Sequence, residues 1–178
     1  MNQRIGLPDH LFSYLSSITP LVNVDLIVVS RNNNSCLFTW RDDGTYGPGW
    51  HIPGGIVRFK ESVITRLKAV AKSELEIKSS LVFQLAQINQ IMNPTRDYRG
   101  HFLSLLFYAY IDHEASVSVT SSSLDMPISW FDGIPSNLIP QHRRYIPALL
   151  SFMNRSSTLP SIIGNITREY SEEYETNF

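Results

Sequence analysis

The segment from Trp50 to Glu61 constrains the fold of this chain more than any other, because it joins an apolar stretch to a helix through two consecutive glycines. Trp50 to Pro53 is short, aromatic and apolar, which is typical of a buried strand end. Gly54 and Gly55 then predict a turn, since glycine enters positive φ at little cost. The segment therefore predicts a strand, a glycine turn, a loop and a helix, in that order.

The predicted helix follows Glu61 and carries its own chemical signal. Its apolar residues recur near helical spacing at Val63, Ile64, Leu67, Ala71 and Leu75. Val70, Ser73 and Glu74 stand at i, i+3 and i+4, so they share one helix face. Only Glu74 is a carboxylate, which with a backbone carbonyl can help to hold one metal ion. The alternative is a plain glycine turn followed by an exposed helix glutamate.

These residues resemble a degenerate Nudix box, whose consensus is Gly, five residues, Glu, seven residues, then Arg-Glu-apolar-x-Glu-Glu-x-Gly-apolar. Counted from Gly55, the spacing finds Glu61, Glu74 and the final apolar Ile77 in place. The other positions differ from the consensus, with Ala69 for Arg, Val70 for Glu, Ser73 for the first paired Glu and Glu76 for Gly. The box is therefore partly retained and partly lost.

Within the Nudix superfamily the chain is similar to the GDP-mannose mannosyl hydrolase group, from about Leu7 to Phe152. The segments that carry this resemblance are 19–25, 40–41, 49–55, 73–75, 100–102 and 129–131. That group also lacks the middle glutamates and keeps the last one. Its enzymes displace GDP at the anomeric carbon of the sugar, whereas most Nudix enzymes attack a phosphorus. The resemblance implies a Mg²⁺-dependent hydrolase of a nucleoside-diphosphate sugar, and a homodimer.

The resemblance also implies roles for four residues. Gly54 matches the position whose backbone carbonyl is offered to Mg²⁺, and Glu74 matches the carboxylate ligand. Arg41 matches an arginine that supports the departing diphosphate, where a planar cation suits phosphate oxygens. Asp25 matches an aspartate near the substrate.

The chain departs from the group at two functional places. Ile56 stands where the group has an arginine directly after Gly-Gly. Arg58, two residues on, would share a face with Ile56 in an extended segment and could replace that cation; the alternative is a solvated surface residue. The group's metal-binding Gln and catalytic His fall near Leu124 and Asp125, so Asp125 is a candidate base or metal ligand by substitution.

A polar segment between two predicted strands supplies further candidates. Arginine and tyrosine can grip a diphosphate and stack on a base or sugar, which makes Arg96, Tyr98 and Arg99 candidates for substrate binding. The alternative is a solvated hairpin loop. His101 opens the next strand and is the nearest histidine candidate for acid–base work, or is structural.

A basic run and a strand histidine have both a functional and a structural interpretation. The basic run 141–145 lies near a helix start, where it could contact phosphate or be a set of surface charges. His51 lies in an apolar strand, which favours packing over catalysis.

The remaining pattern predicts the architecture. Helices are expected at 8–18 and 145–153, and strands at 21–30, 35–41, 81–92, 101–111 and 128–131. Polar loops are expected at 42–48, 93–100 and 121–123. This order suits an α/β/α sandwich with a central mixed β-sheet. We expect one domain over residues 1–153 and a polar C-terminal extension over 154–178.

Composition excludes several classes of protein. A net charge of −1 gives no overall attraction to nucleic acid or to an anionic membrane. The single cysteine, Cys36, excludes an intrachain disulfide and a cysteine zinc cluster. No apolar run approaches the roughly 20 residues of a membrane span, and the N-terminus lacks a signal-like apolar core. A cytoplasmic location is therefore expected.

The sequence leaves three functions open. The first is the metal-dependent hydrolase of a nucleoside-diphosphate sugar, with its general base unassigned between Asp125 and His101. The second is a module that binds a nucleotide or nucleotide sugar without turnover. The third is a diphosphatase that cuts between phosphates, which the missing box carboxylates disfavour.

Overall fold

The architecture is a seven-stranded sheet with helices on both faces, in a computed structural model that describes residues 8–42, 47–112 and 127–154. The elements in chain order are α1 (Asp9–Ile18), β1 (Leu21–Ser30), β2 (Cys36–Arg41), β3 (Gly49–His51), β4 (Gly54–Ile56), α2 (Val63–Glu74), β5 (Gln84–Met92), β6 (His101–Ile111), β7 (Ile128–Phe131), a 3-10 helix (Pro140–Tyr145) and α3 (Ile146–Met153).

The sheet is mixed, and β1 lies at its centre. Its main path runs β3-β2-β1-β6-β5, while β4 pairs with β1 and β7 pairs with β2. β1 is parallel to β6 along its whole length and antiparallel to β2 and β4. A strand covered on both faces needs a nearly continuous apolar run, and residues 24–30 of β1 are all buried.

Two apolar clusters lie on opposite faces of this sheet. One packs Leu67, Val70 and Ala71 of α2 against alternate residues of β1, among them Val24 and Leu26. The other packs Ala148, Leu149 and Phe152 of α3 against the intervening positions, Ile27 and Val29. The α/β/α sandwich with a central mixed sheet is therefore confirmed.

The predicted turn at Gly54 and Gly55 is wrong. These glycines belong to strand β4, and Gly47 is the one glycine with positive φ among the described residues. The glycines are needed for close approach instead. A Cβ on Gly54 would collide with Asp25 Oδ1 and lie 2.7 Å from the carbonyl oxygen of Val24.

The chain changes partner strand between β3 and β4. β3 pairs with β2, whereas β4 pairs with β1, and the Leu26 N–H donates to the Pro53 carbonyl at 2.9 Å. The chain therefore crosses from β2 to β1 at Ile52–Pro53.

Most element bounds agree with the sequence prediction, with two shifts. The strand expected from Leu81 begins at Gln84, and the helix expected from Tyr145 is preceded by the 3-10 helix and starts at Ile146. Pro140 and Pro147 each occupy an early position of its helix, where proline's missing N–H costs little. The loop expected at 121–123 lies outside the described residues, as does most of the extension beyond 153.

Candidate functional site

The retained box carboxylate, Glu74, faces a buried histidine. Glu74 is the last residue of α2, whose first turn is capped by the Ser62 hydroxyl accepting from the Thr65 N–H at 3.1 Å. Its Oε2 lies 3.7 Å from Nε2 of His51, and the two side chains are 24% and 7% exposed. His51 Nδ1 lies 2.9 Å from the carbonyl oxygen of Thr39. The predicted metal ligand therefore has a histidine beside it that sequence reasoning had assigned to packing.

Asp25 lies in β1 directly opposite Gly54 of β4, in a buried hydrogen-bond network. Its Oδ2 accepts from the Ser104 hydroxyl at 2.5 Å and from the Tyr145 hydroxyl at 2.7 Å, and its Oδ1 accepts from Asn23 Nδ2 at 3.0 Å. Burial raises the pKa of Asp25 and the charge of Glu74 adds to this, although the three hydrogen bonds act in the opposite direction. Asp25 is 4% exposed, so its predicted contact with substrate stays a prediction.

The 3-10 helix places His142 and Arg144 near the crossing between β3 and β4. His142 Nδ1 accepts from the Ile52 N–H at 2.9 Å, directly before the strand crossing. Burial lowers the pKa of His142 well below its ordinary value, and His51, Arg144 and Arg41 lower it further by charge. The two histidine rings lie 6.0 Å apart. Arg41 and Arg144, the latter from the basic run 141–145, therefore both lie within electrostatic reach of His142.

The box helix carries an arginine that the consensus does not predict, and this arginine binds Glu61 in the loop before the helix. Arg66 Nε and Nη2 donate to Glu61 Oε2 at 2.9 and 2.7 Å, and the Arg58 N–H donates to the same oxygen at 2.9 Å. Burial acts to raise the pKa of Glu61, but these bonds and the two arginines outweigh it and lower that pKa. Arg66 lies one turn before Ala69, on the same helix face, and that spacing was the available signal.

The lost box positions have different surroundings. Val70 is 2% exposed, and its Cγ2 lies 3.4 Å from where a Cβ on Gly55 would be. Ser73 is exposed. The helix face that carries carboxylates in the consensus is therefore apolar at Val70. Its one carboxylate is Glu74, at the end of the helix.

The polar hairpin between β5 and β6 lies away from this cluster. The Arg99 guanidinium packs over Phe12 of α1 at 5.3 Å, and the Arg99 backbone N–H donates to the Ser16 hydroxyl at 3.1 Å. His101 Nε2 lies 3.1 Å from Gln90 Nε2. The β6 residue aligned with Asp25 is Leu106, five residues after His101, which is about 16 Å along a strand.

The other predicted residues are more scattered. Arg96 is half-buried in the hairpin, Tyr98 is 53% exposed there, and Arg58 is exposed in the loop after β4. Asp125 lies outside the described residues. The structure thus brings Asp25, Gly54 and Glu74 close to one another, with Arg41 near the adjacent His142. It does not bring the hairpin residues or His101 to them.

The predicted Mg²⁺ site has two candidate oxygen donors, the Gly54 carbonyl and the Glu74 carboxylate. In an antiparallel pair of strands, hydrogen-bonded and non-hydrogen-bonded residue pairs alternate. The pairs Leu26–Pro53 and Val22–Val57 are hydrogen-bonded, so the pair Asp25–Gly54 is not, and the Gly54 carbonyl points away from β1. One carbonyl and the Glu74 carboxylate are hard oxygen donors, which suit a Mg²⁺ that keeps several waters. Within residues 8–42, 47–112 and 127–154, no three His, Cys, Asp or Glu side chains gather as a metal cluster.

Comparison with known proteins places this fold. No family model matches the chain. The low-salt glycan biosynthesis protein Agl8 of Haloferax volcanii is 26% identical over 147 residues, covering 80% of this chain and 90% of that protein. A possible asymmetric diadenosine tetraphosphate hydrolase of Jonesia denitrificans superposes with a TM-score of 0.58, at 16% identity, covering 81% of this chain and 99% of the other.

Two further solved structures agree with this match. The MutT protein of Methanosarcina mazei gives a TM-score of 0.56 at 15% identity, over 79% of this chain and 99% of the other. The Nudix domain of Shewanella oneidensis NrtR, in complex with ADP-ribose, gives 0.50 at 15% identity, over 64% and 73%. The chain therefore has the fold of the Nudix hydrolases, as its box predicts. In the described part of the chain, no helix has the length and apolar character that a membrane crossing requires.

Proposed function

We propose that this protein is a divalent-metal-dependent hydrolase of a nucleoside-diphosphate sugar, and that it cleaves the bond between the sugar and the diphosphate. The observation that carries the proposal is the 3.7 Å approach of Glu74 Oε2 to His51, three residues before Gly54, with Arg41 and Arg144 within electrostatic reach of the neighbouring His142. Agl8 is by name a glycan biosynthesis protein, which supports a sugar-containing substrate.

The cations suit the diphosphate part of such a substrate. Arg41 and Arg144 both lower the pKa of His142 by their charge, so both lie within electrostatic reach of the same ring. Arginine presents a planar set of donors that matches phosphate oxygens. A diphosphate leaving group gains negative charge as its bond to the sugar breaks, so cations at this place would favour departure.

Gly54 and Glu74 would hold the metal ion. When bound, such an ion supplies Lewis acidity to the departing diphosphate. Arg41 would neutralise the leaving group, Asp25 would support Gly54 from the adjacent strand β1, and Asp125 remains the candidate base because His101 lies away from this site. The homodimer and the Mg²⁺ preference stay predictions.

A binding module without turnover is the second candidate, and the replacement of the group's arginines by Ile56 and Ala69 favours it. The described residues also contain no three-side-chain metal cluster. Such a module would bind a nucleotide or nucleotide sugar without a metal ion and release no product. A diphosphatase stays the third candidate.

The test is turnover of a panel of nucleoside-diphosphate sugars and plain nucleotides, with and without Mg²⁺, followed by mass spectrometry. Free sugar with an intact nucleoside diphosphate supports the proposal. Sugar phosphate with a nucleoside monophosphate identifies a diphosphatase instead. Tight binding without product in any condition identifies the module.

A pair of matched variants ties turnover to the site. Glu74→Gln removes the carboxylate ligand and keeps the shape of the side chain, so we expect loss of metal-dependent turnover. Asp112→Asn makes the same chemical change at an exposed ion pair with Arg31, where the side chain is 87% exposed, so turnover should not change. Equal activity of Glu74→Gln and the wild type would refute the assigned role of Glu74.

A further inference from the structure

We infer that His51 and Glu74 together bind a first-row transition ion of the Mn²⁺, Co²⁺ or Zn²⁺ kind, with His51 Nε2 as a nitrogen ligand. The inference deepens the proposed function, since it rests on the same Glu74 and Gly54 donors. It changes the expected ion, because imidazole suits transition metals whereas Mg²⁺ takes oxygen ligands.

The hydrogen bond on the other ring nitrogen supplies the first argument. His51 Nδ1 lies 2.9 Å from the Thr39 carbonyl oxygen. A carbonyl oxygen only accepts, so Nδ1 carries the proton and Nε2 of the neutral ring keeps its lone pair. Metal-binding histidines commonly donate their other N–H to a carbonyl or carboxylate in this way, which fixes the tautomer and the ring orientation.

The distance across the pair supplies the second argument. Nε2 and Glu74 Oε2 are 3.7 Å apart, which is too far for a hydrogen bond. An ion about 2.1 Å from each atom, at a tetrahedral angle of about 109°, spans about 3.4 Å, which the two side chains reach by a small approach. The Glu74 side chain is 24% exposed and the His51 side chain 7%, so solvent or substrate oxygens can reach the ion from the glutamate side.

The Gly54 carbonyl is a candidate for one more oxygen ligand. The Gly54 carbonyl points away from β1, and Gly54 follows His51 by three residues. The Thr39 hydroxyl lies 3.2 Å from both Nδ1 and Nε2, so it is not specific to either ring nitrogen. The Thr39 carbonyl orients the ring.

The test is Co²⁺ binding to metal-stripped protein without nucleotide, followed by visible absorption of the bound ion. We expect His51→Gln and His51→Asn to weaken Co²⁺ binding by at least about tenfold, with little change in Mg²⁺ binding measured by competition. His10→Asn is the control, since His10 is exposed on α1, and it should bind like the wild type. Unchanged Co²⁺ affinity and absorption in both His51 variants would overturn the inference and leave a plain ion pair between His51 and Glu74.

A second measurement holds even where the variants fail to fold. In Co²⁺-loaded wild-type protein, the proton on His51 Nδ1 should give a hyperfine-shifted, exchangeable NMR signal. Its absence from protein that binds Co²⁺ would overturn the inference. Co²⁺ binding through His51 without turnover of any nucleotide sugar would refute the proposed function alone, and Mg²⁺-dependent turnover with Co²⁺ binding independent of His51 would refute the inference alone.

Discussion

At position 54, a side chain is excluded by contact and not by backbone conformation. Gly54 lies in a strand, and an added Cβ would meet Asp25 Oδ1 and the Val24 carbonyl. The predicted metal-ligand position and the buried aspartate are thus directly opposite each other on paired strands. A change at either residue therefore alters the surroundings of the other.

We expect Gly54→Ala to lower the free energy of unfolding by about 1–3 kcal/mol, because the buried network around Asp25 cannot make room without strain. Gly133→Ala is the control, since nothing lies within 4 Å of its added Cβ. Urea unfolding of both variants measures the difference. Equal stability of Gly54→Ala and Gly133→Ala would contradict the contact argument.

The partly buried His142 makes stability depend on pH. Its pKa is lowered in the folded protein, so the unfolded chain binds more protons as pH falls below the ordinary value of 6.5. Stability contributed by neutral His142 is therefore present above that pH and is lost as pH falls towards the lowered pKa.

Unfolding of wild type and His142→Gln, measured from pH 8 to pH 5, tests this sign. The stability advantage of the wild type should shrink as the pH falls. A constant difference across the range would show that His142 has the same pKa in both states.

At the scale of elements, single polar groups join helices to the sheet. Tyr145 ends the 3-10 helix, and its hydroxyl donates to Asp25 of β1 while lying 2.7 Å from the hydroxyl of Ser104 in β6. Arg66 of α2 fastens the loop after β4 through Glu61. These two contacts hold the helices on either side of the candidate site.

Tyr145→Phe removes one hydroxyl from the buried carboxylate, and we expect a loss of about 1–3 kcal/mol in unfolding free energy. The pKa of Asp25 should rise further, because the Tyr145 hydrogen bond lowers it. Tyr14→Phe, at a residue that is 64% exposed, is the matched control. Carboxyl-carbon NMR with pH and chemical unfolding measure both effects, and an unchanged Asp25 titration would contradict the role of Tyr145.

Arg66→Gln should cost about 1.5–3 kcal/mol, since it removes charged hydrogen bonds between side chains that are 12% and 16% exposed. The pKa of Glu61 is lowered by its partners. The stability from this pair is therefore present above the ordinary Glu61 pKa of 4.5 and is lost as pH falls through the lowered value. Lys68→Gln, exposed on the same helix, is the control. An equal loss in the two variants at pH 7 would show that the pair contributes nothing special.

At the scale of the whole molecule, Cys36 reports on the integrity of the sheet. It is 0% exposed in β2, and burial raises its pKa to about 12. The thiolate is the reactive form, so the native thiol is both hidden and protonated.

We expect a thiol reagent to modify Cys36 only through opening of the sheet, with a rate that follows the unfolded fraction as denaturant is added. A nucleotide sugar that binds the folded protein should slow this labelling. Labelling of native protein at the rate of a free thiol would contradict the buried position.

Much of the fold was predictable because burial leaves a local pattern. The strands at 21–30, 101–111 and 128–131 coincide with the observed ones, since apolar runs and strand periodicity depend on residues close in sequence. The glycine turn was mispredicted, because glycine also serves close approach, and only the neighbouring strand reveals which applies.

The sequence by itself determined the order of elements apart from β4 and the 3-10 helix, the sandwich and the position of Glu74 at the end of the box helix. Only the tertiary structure decided that His51 faces Glu74, that Tyr145 reaches Asp25, and that Arg66 serves Glu61. The first two contacts join residues 23 and 120 positions apart, and they follow from strand order and register. Those are set by the packing of the whole chain, which no local pattern encodes.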